Sequence, residues 1–276
     1  MKPYWSNEQH GLSIYLGDCL EIMPGLGREF VTLLWTDPPY GHSNMDGDLQ
    51  AARVRDNVAG ARKQECEPIA NDGPDEMRTV VDAALLASIP LLRADCCCCC
   101  CCCCGGGGPK PTFAWTAQRM DDRGLDFFHA VVWDKSARGN GMGWRYRRNY
   151  EFVMVAHRTG GRLAWANEDV QVPNIVRLAP PRVRQHPNEK PVALVEHFAH
   201  LHTRKGHTVL DPFLGSGTTL VAAYRLGRQG VGIEISEEYC ELAATRLERE
   251  IAQGRLFEPA ETAQKPVQTT LECTDA

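Results

Sequence analysis

Two hydrophobic patterns alternate along this 276-residue chain. Short apolar runs, too brief for helices, read as strands buried on one or both faces. They are predicted at Leu12–Leu16, Phe30–Trp35, Phe127–Trp133, Tyr150–His157, Val209–Asp211 and Gly230–Glu234, with smaller β pieces at Gly160–Trp165 and Val170–Val176. Between them, apolar residues recur three and four apart, the signature of a helix with one buried stripe. A brief helix is predicted over Leu20–Leu26 and longer ones over Asp75–Leu92, Phe113–Gly124, Pro191–His202 and Leu220–Leu226. A last helix starts at Ser236, a cap with Glu237 and Glu238 behind it, and carries the stripe Leu242, Ala243, Leu247 and Ile251. Strands alternating with helices predict an α/β fold: an open, doubly wound, mostly parallel sheet with helices on both faces. Residues Gly41–Pro74 are polar and weakly periodic and read as a long loop, with a short helix near Leu49–Val58.

Composition changes that picture little. The 43% hydrophobic and 24% charged content is that of a globular protein. No signal peptide or membrane-spanning run is visible, so a cytoplasmic location is expected. A net charge of −5 argues against non-specific coating of nucleic acid, but leaves room for a local basic face. Of thirteen cysteines, nine form the unbroken run Cys96–Cys104. Neighbouring strand residues point to opposite faces, which suits neither a disulfide framework nor paired metal ligands. The run reads as a buried strand of small apolar residues, with no metal expected.

Chemistry gathers at two strand ends. The first is Thr36-Asp37-Pro38-Pro39-Tyr40. Two prolines stiffen the backbone and leave its carbonyls free, Asp37 adds an acceptor, and Tyr40 adds a flat apolar face. Rigid acceptors beside an aromatic platform suit a planar amine, although an ordinary turn with an exposed tyrosine fits the same residues. The second is Asp211-Pro212-Phe213-Leu214-Gly215-Ser216-Gly217-Thr218-Thr219, between a strand and a helix, followed by Glu234 at the next strand end. A glycine turn opening a helix, with an acid about twenty residues on, suggests a nucleoside ligand; tight strand–helix packing is the plainer alternative. Leu220 replaces the third glycine of a dinucleotide fingerprint, and no Gly-Lys-Ser/Thr phosphate loop is present. S-adenosylmethionine, a nucleoside without phosphates that carries a carboxylate, remains plausible.

Together with His186-Pro187-Asn188-Glu189-Lys190-Pro191, these motifs resemble the amino-methylating DNA methyltransferases, which modify adenine N6 or cytosine N4. The catalytic motif precedes the cofactor motif, similar to the family's β-type order. The resemblance covers most of residues 12–252 and implies a sheet of the S-adenosylmethionine-dependent methyltransferase type with a small inserted target-recognition region. It implies that Asp37 and the Pro38 carbonyl accept from the target amine, that Pro39 stiffens the motif, and that Tyr40 stacks on a flipped base. For the cofactor it implies Asp18, Lys190, Asp211, Phe213, Gly215, Ser216, Gly217, Thr218 and Glu234. Asp at position 37 favours adenine N6; cytosine N4 is the alternative within the chemistry, and an inactive DNA-binding module the alternative outside it.

The window Lys135–Arg162 holds Arg138, Arg145, Arg147 and Arg148, with Trp144 and Tyr146 interleaved and Glu151 its only acid. That composition suits phosphate contact with double-stranded DNA. The expected organisation is a methyltransferase domain over 1–258, with candidate recognition segments 41–74 and 158–185, and a disordered tail over 259–276. A cognate restriction nuclease and a homodimer are candidate partners.

Overall fold

A computed structural model of the chain describes residues 1–39, 74–102, 112–136, 149–166, 171–181 and 189–254. The expected loop over 41–74 lies outside the described residues except for Pro74, which opens a helix; its short helix and the tail over 259–276 lie outside them altogether.

The strands are β1 (Trp5–Asn7), β2 (Leu12–Leu16), β3 (Val31–Thr36), β4 (Leu92–Cys102), β5 (Leu125–Asp134), β6 (Tyr150–Arg158), β7 (Arg162–Leu163), β8 (Ile175–Arg177), β9 (Thr208–Asp211) and β10 (Gln229–Glu234). The helices are α1 (Cys19–Ile22), α2 (Pro74–Ser88), α3 (Thr112–Asp122), α4 (Val192–His202), α5 (Thr218–Leu226) and α6 (Glu237–Gln253). The strands join in the order β1-β2-β10-β9-β3-β4-β6-β5-β8, with β7 beside β4. From β2 through β10, β9 and β3 to β4 every pairing is parallel. Antiparallel pairings enter at β1–β2, β4–β6 and β6–β5.

One edge element escapes the hydrophobic pattern. The polar first ten residues contain β1, held against β2 in the register Trp5↔Ile14 and tied to α6 by the Trp5 indole N–H to Glu248 at 3.0 Å. Three residues carry too little periodicity to announce a strand; tertiary contacts make it one.

The sheet separates two cores. One lies under α4, α5 and α6, with Leu33, Trp35, Phe198, Leu220 and Leu247. The other lies under α1, α2 and α3, with Val31, Leu34, Met77, Leu85 and Met120. All six residues of β3 are buried, as a central parallel strand requires. The cysteine run does form a strand, and it alternates: Cys97, Cys99 and Cys101 enter the first core, while Cys96, Cys98 and Cys100 enter the second. Burial pushes the Cys96 and Cys97 thiols above their usual range.

The chain order creates a switch point. From β3 it continues outward to β4, whereas from β9 it continues the other way to β10. Adjacent parallel strands that diverge in this way leave a crevice at their carboxyl ends, where ligands of open α/β sheets bind. Asp37 follows β3 and Asp211 ends β9, so both aspartates border that crevice.

Candidate active site

Asp37 emerges from β3 half-buried, with Pro38 buried behind it. Its Oδ2 accepts from Lys190 Nζ at 2.9 Å. Lys190 is buried and also lies 3.4 Å from Oε2 of Glu151, a buried carboxylate on β6. Lys135, after β5, donates to the other oxygen of Glu151. Two carboxylates and two ammonium groups therefore alternate in one partly buried chain. Burial raises the Asp37 carboxyl to about 6, against the pull of Lys190 and Lys135 and with a further push from Glu151. At neutral pH most Asp37 is ionised and acts as an acceptor.

The turn after β9 is built from its own residues. Asp211 Oδ1 accepts from the Phe213 N–H at 3.0 Å, and Oδ2 accepts from the Thr219 hydroxyl at 2.5 Å. Both oxygens thus shape the loop. Gly217 is left-handed at φ 81°, and a Cβ there would stand 2.9 Å from that of Ala243. No turn side chain caps α5, so its first N–H groups stay open to an anion.

Arg246, from α6, holds the turn from behind. Its Nη1 donates to the Ser216 carbonyl at 3.1 Å, the Ser216 hydroxyl at 3.3 Å and the Thr218 hydroxyl at 3.1 Å. Glu189 pairs with the same nitrogen at 3.0 Å. A guanidinium only donates, so both hydroxyls accept from it, and the turn is fixed from behind.

Glu234 closes the crevice on the β10 side. It accepts from the Gly215 N–H at 2.7 Å and the Ser236 N–H at 3.0 Å. The Ile235 N–H also acts on it, and a carboxylate has about four acceptor positions, so capacity remains. Burial holds its carboxyl above the usual range. Leu16, in register with Glu234, and Ile235 are exposed beside it. Asp18, at the mouth of the same edge, caps α1 through the Leu20 N–H at 2.8 Å.

Of the expected site residues, the fold brings Asp37, Pro38, Pro39, Lys190, Asp211, Phe213, Gly215, Ser216, Gly217, Thr218, Glu234 and Asp18 to the carboxyl edge of the sheet. Lys190, expected with the cofactor group, has its ammonium on Asp37. Tyr40 and the expected DNA contacts Arg138, Arg145, Arg147 and Arg148 lie outside the described residues. Of the neighbouring arginines, Arg158 is engaged by Glu29 at 2.8 Å and Arg177 by Asp134 at 3.2 Å. The sequence does not point to Glu151 or Arg246 as site residues. Glu151 carries one signal, as the lone acid of a basic window; Arg246 carries none.

The model of the DNA methylase family, whose members modify N6 or N4 amines, matches residues 31–245. The chain belongs to this family. The Type II methyltransferase M2.DpnII of Streptococcus pneumoniae is 28% identical over 149 residues, covering 48% of this chain and 54% of its own. The chain thus matches about half the length of that relative. Among solved structures, TTHA0409 of Thermus thermophilus, determined with S-adenosyl-L-methionine, superposes with a TM-score of 0.61 at 22% identity, covering 86% of this chain and 95% of that one. The cytosine-N4-specific PvuII DNA methyltransferase superposes with a TM-score of 0.66 at 19% identity, covering 88% and 90%. These likenesses establish the S-adenosylmethionine-dependent methyltransferase fold for this DNA methylase. Among the described residues no helix is long and apolar enough to cross a membrane.

Proposed function

We propose that this methylase transfers a methyl group from S-adenosylmethionine to the exocyclic amine of a flipped base in double-stranded DNA, with adenine N6 as the target. The observation that carries the reading is the placement of Asp37, an ionised acceptor, across one strand boundary from an uncapped glycine turn.

The residues present fit the cofactor. The open N-terminus of α5, with the Ser216 and Thr218 hydroxyls, suits its carboxylate. The spare acceptor positions of Glu234 suit ribose hydroxyls. Leu16, Ile235 and Phe213 offer apolar surface to an adenine ring, with Asp18 at its edge. S-adenosylmethionine bound there would supply a sulfonium-activated methyl group. Gly215 and Gly217 let the backbone approach it, while Asp211 keeps the turn in shape.

The chain's own part is to prepare the nucleophile. An exocyclic amine is weak because its lone pair is delocalised into the ring. The Asp37 carboxylate and the Pro38 carbonyl, accepting hydrogen bonds from its two N–H groups, favour a tetrahedral nitrogen with a localised pair. Lys190 holds Asp37 in orientation through Oδ2. Pro39 fixes the backbone, and Tyr40 stacks on the extruded base for ~1–3 kcal/mol, against a flipping cost of a few kcal/mol. Arg138, Arg145, Arg147 and Arg148 contact phosphates, and segments 41–74 and 158–185 select the site. The protein acts in the cytoplasm, where a restriction nuclease of the same site is a candidate partner and a homodimer a candidate assembly.

The test is to incubate the full chain with duplex DNA and methyl-labelled cofactor, digest the product and identify the labelled nucleoside by mass spectrometry. N6-methyldeoxyadenosine is expected. N4-methyldeoxycytidine would overturn the choice of base, and unlabelled DNA would overturn the activity.

A further inference from the structure

The alternation of the cysteine strand brings two thiols and an imidazole together inside the core on the α4 face of the sheet. Cys97 and Cys99, two apart on β4, point into the same core with their sulfurs 3.3 Å apart. His202, the last residue of α4, completes the group: one of its ring nitrogens and both sulfurs lie within 4.8 Å of one another. All three side chains are buried.

The imidazole is oriented for a second bond. Its Nδ1 stands 2.7 Å from the Ala164 carbonyl, which can only accept, so Nδ1 carries the proton. The lone pair is then on Nε2, the arrangement of a metal-binding histidine held by a carbonyl. Trp165, edge-on at 5.0 Å, and Phe198, stacked at 6.3 Å, fix the ring. Two sulfurs bound to one tetrahedral zinc at ~2.3 Å would be about 3.8 Å apart, a small adjustment from the observed spacing.

We propose that Cys97, Cys99 and His202 form a buried site for a thiophilic d10 cation, zinc or copper(I), that pins α4 to the central strand β4. Thiolate sulfur with imidazole nitrogen is the donor set such ions prefer over the harder magnesium or calcium. Binding sends the two thiol protons to solvent, replaces them with two metal–sulfur bonds and one metal–nitrogen bond, and exchanges no electrons. The ion lies on the α4 side of the sheet, whereas Asp37 and the glycine turn lie at its carboxyl edge, so its role is to hold the fold. The expectation of a metal-free strand weighs adjacent cysteines; the ligands are two residues apart, and the third comes from a helix more than one hundred positions on.

The full chain, purified reduced and stripped of metal, would be equilibrated anaerobically with zinc or with copper(I) in separate arms. Stoichiometric uptake of one ion and a raised Tm are expected, with X-ray absorption reporting two sulfurs and one nitrogen at the metal. The arm that binds more tightly identifies the ion. Cys97→Ala with Cys99→Ala, and separately His202→Leu, should abolish uptake. Cys98→Ala with Cys100→Ala, on the opposite face, should retain it. The absorption measurement needs no variant, so a misfolded mutant leaves the test intact. No uptake in either arm, a shell of three or four sulfurs, or unchanged uptake in the Cys97/Cys99 variant would overturn the site.

Discussion

Asp37 and Asp211 form a natural pair for comparison. Each ends or follows a central parallel strand, each precedes a proline, and the two strands are neighbours. Their surroundings nonetheless give them different work. Asp37 meets a cation, Lys190, through one oxygen. Among the described residues Asp211 meets no cation: its oxygens accept from Phe213 and Thr219 of its own turn. Burial pushes both carboxyls up, Asp37 to about 6 and Asp211 to about 7. The same dipeptide thus faces a buried cation on one strand and shapes its own loop on the next. What separates them is the lysine that arrives just before α4.

The largest test of that contrast is removal of the acceptor. Asp37→Ala should lower methyl transfer by ~100-fold or more, the scale on which a preorganised polar group is lost from an active site. Cofactor binding, measured by calorimetry, should stay within a few-fold. A variant that still turns over at the parental rate would remove Asp37 from the chemistry.

Lys190→Met asks whether the lysine makes Asp37 what it is. Without the ammonium the Asp37 carboxyl rises above about 6, so less of it is ionised at neutral pH. Methyl transfer at pH 7 should fall about two-fold for the first unit of that rise, as the ionised fraction drops from about nine-tenths to one-half, and approach ~10-fold per unit only when the carboxyl lies well above 7. The acid limb of the pH–rate profile, near 6 in the parent, should move to higher pH. Glu151→Gln is the smaller, opposite perturbation. Glu151 raises the Asp37 carboxyl, so its removal should move the acid limb to lower pH. An unmoved limb in both variants would mean that another group titrates in the rate.

Much of this is legible in the chain, for identifiable reasons. β3 and β9 are continuous apolar runs ended by Asp-Pro, and the turn after β9 advertises itself through Gly215 and Gly217. Local patterns of that kind survive folding because the backbone needs them. Glu151 and Arg246 are not legible, since neither sits in a motif and both matter through partners far along the chain. Arg246 reaches Ser216 and Thr218 only because α6 packs back on the turn, where Gly217 leaves room beside Ala243. The Cys97–Cys99–His202 cluster is hidden for the same reason: alternation on β4 is predictable, but the arrival of His202 over it is not.

The smallest expected effect belongs to Asp211, and it bears on stability more than on rate. Its carboxyl is raised to about 7 by burial, against the bonds from Thr219 and Phe213 and with a further push from Asp37 and Glu234. In the unfolded chain it returns to about 3.8. Between about 4 and 7 the folded protein therefore binds more protons than the unfolded one, and the contribution of this group to stability falls as pH rises. Asp211→Asn keeps an acceptor for the turn but does not titrate. Urea unfolding across that window should show the parent losing stability relative to the variant as pH rises, while methyl transfer falls by ~10-fold or less, well short of the Asp37→Ala loss. A difference that grows in the parent's favour instead would mean that the folded Asp211 carboxyl lies below its unfolded value, held down as an ion, and the account of Asp211 as a buried, loop-shaping group would fail.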